Sequence, residues 1–259
     1  MKYVLITGAS SGIGKELAKK LAMQGYGLVL VARRKNLLKE LKKELEEAYG
    51  SDVHVLAKDI TVNTKEVYDY CLENNLEVEI LINNAGYGLY GKFVDNDINK
   101  TLGMIDLNNR ALVELTYYFA GDMRKRKTGK ILNVGSVASF EPGPYMAVYY
   151  ATKSFVLNFS LALREELKND GINVSILCPA PTKTEFWDVA NGSTSAVYDL
   201  FSRSAEEAAN TGMKILEENK PYAIDGPAYK LSIPFARIMK PSVSAKLIGT
   251  IQSKTKKQK

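Results

Sequence analysis

Tyr3-Val4-Leu5-Ile6-Thr7-Gly8-Ala9-Ser10-Ser11-Gly12-Ile13-Gly14 decides the fold of this 259-residue chain. The first five residues read as a buried strand, and residues 13–24 carry the apolar spacing of a helix. Between them the glycines fall in the pattern GxxxGxG. Glycine allows the tight turn and close backbone approach that a pyrophosphate requires, and the free amides at the helix N-terminus then meet its charge. Three glycines alone are a weak signal. At a strand–turn–helix junction they favour a nucleotide loop over a plain turn.

The alternation continues along the chain. Strands are predicted at 27–32, 53–57, 79–82, 130–134 and 172–177, and helices at 35–48, 64–74, 99–127 and 148–167. In the second helix Leu37, Leu38, Leu41 and Leu45 form one apolar stripe. Such βα alternation means a parallel sheet with helices on both faces. No linker or internal repeat interrupts it, so 1–236 reads as a single domain and 237–259 as a basic tail. Residues 184–225 break the rhythm: Phe186, Trp187, Tyr198 and Phe201 stand among small polar residues, followed by a helical stretch at 204–218. A long irregular insertion in a compact domain is usually a lid or binding loop. A substrate cover near 185–225 is expected, with a helical cap on the sheet edge as the plainer reading.

Hydrophobic residues make up 46% and charged residues 25% of the chain, the balance of an ordinary globular protein. No apolar run reaches membrane-spanning length, and Met1-Lys2 leads at once into a strand without the pattern of a secretion signal. Cys71 and Cys178 sit far apart in apolar settings and read as buried thiols. A cytoplasmic location is the resulting expectation. The net charge of +6 is uneven, with seven basic and no acidic residues in 237–259. That end is expected to be a solvated tail, or a weak peripheral contact with anionic lipid or an acylated carrier. Aromatic residues do not interleave with the basic run, which argues against nucleic acid.

After the second strand comes Val31-Ala32-Arg33-Arg34. An acid at this strand end binds a ribose 2′-hydroxyl, whereas arginine accommodates a 2′-phosphate. Arg33 and Arg34 therefore predict NADP(H), against the alternative of a solvated basic pair opening a Lys-rich helix. Farther on, Tyr149 and Lys153 lie at i and i+4, on one helix face. An ammonium beside a phenol favours the phenolate and is expected to lower its pKa from about 10. Tyr150 points some 100° away around the helix, and its own i+4 neighbour is the uncharged Ser154.

With these residues in view, the chain resembles the compact, single-domain branch of the short-chain dehydrogenase/reductases. The resemblance covers nearly all of residues 2–185. It rests on Thr7 to Gly14, Asp59-Ile60, Asn83-Asn84-Ala85-Gly86, Asn108, Ser136, Tyr149 with Lys153, and Pro179 with Thr184, in that order. It implies a Rossmann-type doubly wound parallel sheet. It also implies cofactor contacts from Gly8, Ser10, Ser11, Gly12, Ile13 and Gly14, adenine contacts from Asp59 and Ile60, and a groove lined by Asn84, Ala85 and Gly86. Lys153 would hold the nicotinamide ribose, Pro179 and Thr184 its carboxamide. Ser136 would polarise a substrate carbonyl, Tyr149 would act as general acid or base beside the transferred hydride, and Asn108 would position a water serving Lys153. A homodimer or homotetramer, paired through 99–127 and 148–167, is implied in the same way. One departure is Pro179-Ala180, where the family has Pro-Gly; alanine restricts φ > 0 there.

Tyr145, Met146, Phe186 and Trp187 point to an apolar substrate: a hydrophobic ketone or a 3-oxoacyl compound. A binding-only sensor of NADP(H) is the alternative, against which the intact Asn108, Ser136, Tyr149 and Lys153 set argues. A hydrolase would hang on His54, the only histidine, in an alternating strand. No Cys/His cluster has metal-ligand spacing. The glycine loop is followed by Lys15-Glu16, without the Lys-Ser/Thr pair of an NTPase loop.

Overall fold

A computed structural model describes residues 1–190 and 201–253; Tyr198 of the expected cover and residues 254–259 of the expected tail lie outside the described residues. The elements run β1 (Tyr3–Thr7), α1 (Gly12–Met23), β2 (Gly27–Ala32), α2 (Lys35–Tyr49), β3 (Val53–Ala57), α3 (Thr64–Glu73), β4 (Val78–Asn83) and α4 (Ile98–Ile105). They continue with α5 (Leu112–Arg126), β5 (Gly129–Val134), α6 (Ala147–Leu167), β6 (Ile172–Cys178), β7 (Thr182–Lys183) and α7 (Phe186–Val189). Past the undescribed residues come β8 (Arg203–Ser204), α8 (Ala205–Glu218), β9 (Tyr222–Ile224), α9 (Pro227–Ile238) and α10 (Pro241–Gln252).

Seven strands form one parallel sheet in the order β3-β2-β1-β4-β5-β6-β9. The two-residue strand period distributes each strand between two cores. Val4, Ile6, Leu28, Leu30, Ile82 and Leu132 face α1, α2 and α8, where Leu17, Leu38, Leu41 and Met213 meet them. Leu5, Val29, Val31, Leu81, Ile131 and Val174 face α3 and α5, against Val67, Leu115, Phe119 and Met123. Strand order reverses between β1 and β4, so the crevice at their C-terminal ends is where such a sheet binds ligands.

Three features differ from the sequence expectations. The helix expected over 99–127 contains a π-helical stretch, Asp106–Ala111, between α4 and α5. A seventh sheet strand, β9, is only three residues long and follows Pro221, too short to show a period. The stretch expected as a tail includes α10, whose Ser244 and Gln252 are buried. Gln252 ties it down: its carbonyl accepts the Tyr90 hydroxyl at 2.7 Å, and its Nε2 donates to the Tyr150 hydroxyl at 2.7 Å.

Candidate active site

At the end of β1 the backbone turns through Gly8 and Gly12 at φ +66° and +56°, the left-handed region that side chains resist. Space also excludes a side chain at Gly8, where a Cβ would lie 2.8 Å from Asn84 Nδ2 and 2.9 Å from Ala85 Cα. Asn84 donates through Nδ2 to the carbonyls of Thr7 and Gly8 at 2.9 and 3.2 Å. The Thr7 hydroxyl accepts the amides of Asn84 and Ala85, each at 3.0 Å. These bonds fasten β1 to β4 at the crevice. Ser11 caps α1 without a side-chain hydrogen bond, and the first turn holds no acid. The opening amides of α1 thus remain suited to an anion.

Arg34 reaches back over this loop. Its Nη2 donates to Ser11 Oγ at 2.7 Å and Ser10 Oγ at 3.2 Å, and pairs with Glu185 Oε2 at 2.7 Å. Arg33 is exposed, with its charge near Asp59. Burial would raise the Asp59 carboxyl, but the Thr61 amide and hydroxyl at 3.0 and 2.8 Å, helped by the Arg33 charge, hold it below its ordinary value. Ile60 is buried beside it. A glycine-lined turn and a bare helix start fit the pyrophosphate of a dinucleotide, with two arginines just past the end of β2.

The catalytic candidates converge on the other side of the crevice. Asn108 sits in the π-helical stretch, a deviation that often marks functional positions. Its Oδ1 accepts the Tyr87 amide at 3.1 Å, while Nδ2 donates to Tyr87 O and Thr152 Oγ1, each at 3.0 Å. Tyr149, Thr152 and Lys153 are the buried face of the first turns of α6. A Cβ at Gly86 would come within 3.0 Å of Asn108 Oδ1 and 3.5 Å of Lys153 Nζ, so this glycine keeps the floor of the groove open. Ser136, two residues past β5, caps the short turn Val137–Phe140 and accepts the Ala138 amide at 3.1 Å. The Ser136 hydroxyl also interacts with the Tyr149 phenol.

Electrostatically the pair departs from the sequence expectation. Burial pushes the Tyr149 phenol up to about 12, opposed by the Ser136 hydrogen bond. Burial also pushes the Lys153 ammonium down to about 8. Helical spacing does bring the two together, with Lys153 Nζ 5.9 Å from the Tyr149 ring centre. However, Nζ donates to the Val134 carbonyl at 2.8 Å, and desolvation outweighs its attraction for a phenolate. The Cys178 thiol borders the same groups and is pushed up to about 12 by burial.

An apolar wall stands over the phenol. Phe186 lies 5.2 Å from the Tyr149 ring and Trp187 packs edge-on against Phe186 at 5.6 Å. Tyr145 belongs to the same cluster with Leu89, Tyr90, Met104 and Met146. Its φ of +66° is uncommon for an aromatic residue, and its carbonyl accepts the Gly91 amide at 2.8 Å. Pro179 accepts the Val137 amide at 3.0 Å, and the Thr184 methyl sits against Gly12. Ala180 has no positive φ, and it packs beside Gly226, where a Cβ would lie 3.2 Å from Ala180 Cβ.

Comparison with known proteins gives this geometry a family. A family model described as short chain dehydrogenase matches residues 2–194. The chain belongs to the short-chain dehydrogenase family. A very-long-chain 3-oxoacyl-CoA reductase of Kluyveromyces lactis is 37% identical over 184 residues, covering 68% of this chain and 53% of that protein. The chain thus matches about half the length of such curated relatives. A solved short-chain dehydrogenase from Sphingobium yanoikuyae, in complex with NADPH, is 35% identical with a TM-score of 0.80 over 86% of this chain and 87% of its own. A bulky-bulky ketone specific alcohol dehydrogenase from Comamonas testosteroni is 32% identical with a TM-score of 0.76, over 86% of each chain.

As in the sequence reading of this short-chain dehydrogenase, Ser136, Tyr149 and Lys153 come together, with Asn108 joined to them through Thr152 and Gly86. Sequence reasoning missed Tyr87, Thr152 and Glu185, and gave Thr7 no role beyond its place in the glycine loop. The asparagines of 83–86 do stitch neighbouring strands as the resemblance implies, but the sequence does not name their partners: Asn83 Nδ2 donates to Asn133 Oδ1 at 2.9 Å and Asn133 Nδ2 to Ser160 Oγ at 2.9 Å. The two asparagines are neighbours across β4 and β5, a pairing visible only once the strands are in register.

Proposed function

We propose that the chain is an NADPH-dependent reductase that converts a hydrophobic ketone or 3-oxoacyl substrate into the secondary alcohol. The observation that carries this reading is the buried Tyr149 phenol, with Lys153 Nζ 5.9 Å from its ring and the buried Ser136 nearby, beneath the Tyr145, Phe186 and Trp187 wall. The relatives' names, a 3-oxoacyl-CoA reductase and a bulky-ketone dehydrogenase, support it. So does the NADPH bound by the Sphingobium protein, together with Arg33 and Arg34 just past the end of β2.

Residues Gly8 to Gly14, Arg33, Arg34, Asp59 and Asn84 to Gly86 would hold the dinucleotide, with Lys153, Pro179 and Thr184 at its nicotinamide end. When bound, the reduced nicotinamide supplies a hydride. Ser136 and Tyr149 donate hydrogen bonds to the substrate oxygen, which stabilises negative charge where it grows. A phenol pushed up to about 12 stays protonated at neutral pH, the form a general acid needs. Lys153, with its pKa near 8, still carries its charge at pH 7 and favours the phenolate left after proton transfer. In the oxidative direction Tyr149 accepts the proton instead. The aromatic wall keeps water from this exchange and strengthens each interaction in it.

The test is NADPH consumption against ketones graded from small and polar to bulky and apolar, including a 3-oxoacyl thioester. Rates rising with apolar bulk are expected. Absence of turnover on every hydrophobic carbonyl would overturn the proposal.

A further inference from the structure

Helix α9 is apolar on two sides. Ile233, 3% exposed, packs inward with Tyr229 against Val137 and Phe140, beside the turn that Ser136 caps. Leu231, Phe235 and Ile238 lie at i, i+4 and i+7, one face of the helix. They remain 70%, 66% and 83% exposed. Three large side chains aligned on one exposed face ask for an apolar neighbour, unlike isolated surface residues. Two more, Val243 and Leu247, are about half exposed at i and i+4 on α10.

Charge selects among the neighbours. No acidic residue follows Asp225, whereas Lys230, Arg237, Lys240, Lys246 and four lysines of 254–259 do. Lys230, Lys240 and Lys246 are exposed on or between the same two helices. A second copy of this surface would bring like charges together. An anionic phospholipid surface would satisfy both features: headgroups meet the lysines and the acyl boundary takes the apolar face.

We infer that α9, with the exposed face of α10, is a peripheral docking surface for anionic membranes. Its anchor is Leu231, Phe235 and Ile238, so the lipid contact expected of the basic tail centres on a folded helix instead. This helix packs on the Ser136 turn, which sets the docking surface close to the site that would receive an apolar substrate. The inference concerns binding and stands whichever carbonyl is reduced.

The full chain is to be sedimented with vesicles of phosphatidylglycerol and phosphatidylcholine, and with phosphatidylcholine alone. Binding to the anionic vesicles, weakened by salt, is expected. Leu231→Ser with Phe235→Ser should lower partitioning at least about tenfold, with thermal unfolding and NADPH binding unchanged. Lys240→Glu with Lys246→Glu should lower it as well. Equal binding by the serine variant and the parent would overturn the inference, as would absence of binding to anionic vesicles at low salt. A dimer in sedimentation velocity that the serine pair dissolves, without vesicle binding, would assign the face to a second copy and overturn it too.

Discussion

Replacing Lys153 by methionine should change how stability depends on pH. Lys153 is 6% exposed, and burial lowers its pKa from 10.5 to about 8. Folding therefore releases a proton between those values. Wild-type stability attributable to this group is greatest above about 10.5 and is lost as pH falls through about 8, because the folded state must then carry a desolvated charge. A shift from 10.5 to about 8 corresponds to about 3 kcal/mol at about 1.4 kcal/mol per pKa unit. Lys153→Met removes this term, and also the donor to the Val134 carbonyl, which adds a constant offset of about 1 kcal/mol. The informative quantity is the difference in unfolding free energy between variant and wild type, from urea titrations at pH 7, 8, 9 and 10 without cofactor. That difference should move by about 2–3 kcal/mol in favour of wild type as pH rises across this range. Parallel curves would refute the reasoning, since they would mean that Lys153 titrates alike in both states.

Further outcomes are expected at the cofactor end. Gly8→Ala puts a side chain at φ +66° and 2.9 Å from the Ala85 Cα, so it should cost at least about 1–2 kcal/mol. A lowered melting temperature and weaker NADPH binding by fluorescence titration would show it, and wild-type values would contradict it. Arg34→Ala should reduce the preference for NADPH over NADH in kcat/KM by about tenfold or more, since a charge-assisted phosphate contact is worth about 1.5–3 kcal/mol. The Arg34–Glu185 pair is about half exposed on both sides, so it is worth at most about 1 kcal/mol. Glu185→Gln should then tighten NADPH binding up to about fivefold and leave NADH unchanged; calorimetry with both cofactors distinguishes this from a general effect.

Much of the fold was legible because strand and helix periods are local properties. Leu5 and Ile6 go to opposite cores as alternation requires, and of the expected stripe Leu38, Leu41 and Leu45 are the buried face of α2 while Leu37 is half-buried beside them. The glycine loop was legible for the same reason, its demand being on the backbone itself. Features that depend on tertiary contact were not. Nothing in residues 106–111 announces a π turn, whose place is fixed by Asn108 reaching Tyr87 and Thr152. Pro227 and Pro241 open helices and Pro234 lies within α9, so this end of the chain lacked the plain helical signal that the earlier helices carry. The Tyr149–Lys153 spacing was right about proximity and wrong about sign, because one sequence cannot show how little solvent reaches either group.

The most direct measurement is single-turnover reduction of a hydrophobic ketone by Tyr149→Phe with NADPH saturating and its binding checked separately. Loss of the phenolic oxygen should lower the rate by about 10²–10⁴-fold with cofactor affinity and melting temperature retained. A variant that binds NADPH and reduces the ketone at the parent's rate would contradict the assignment of Tyr149 as the proton donor.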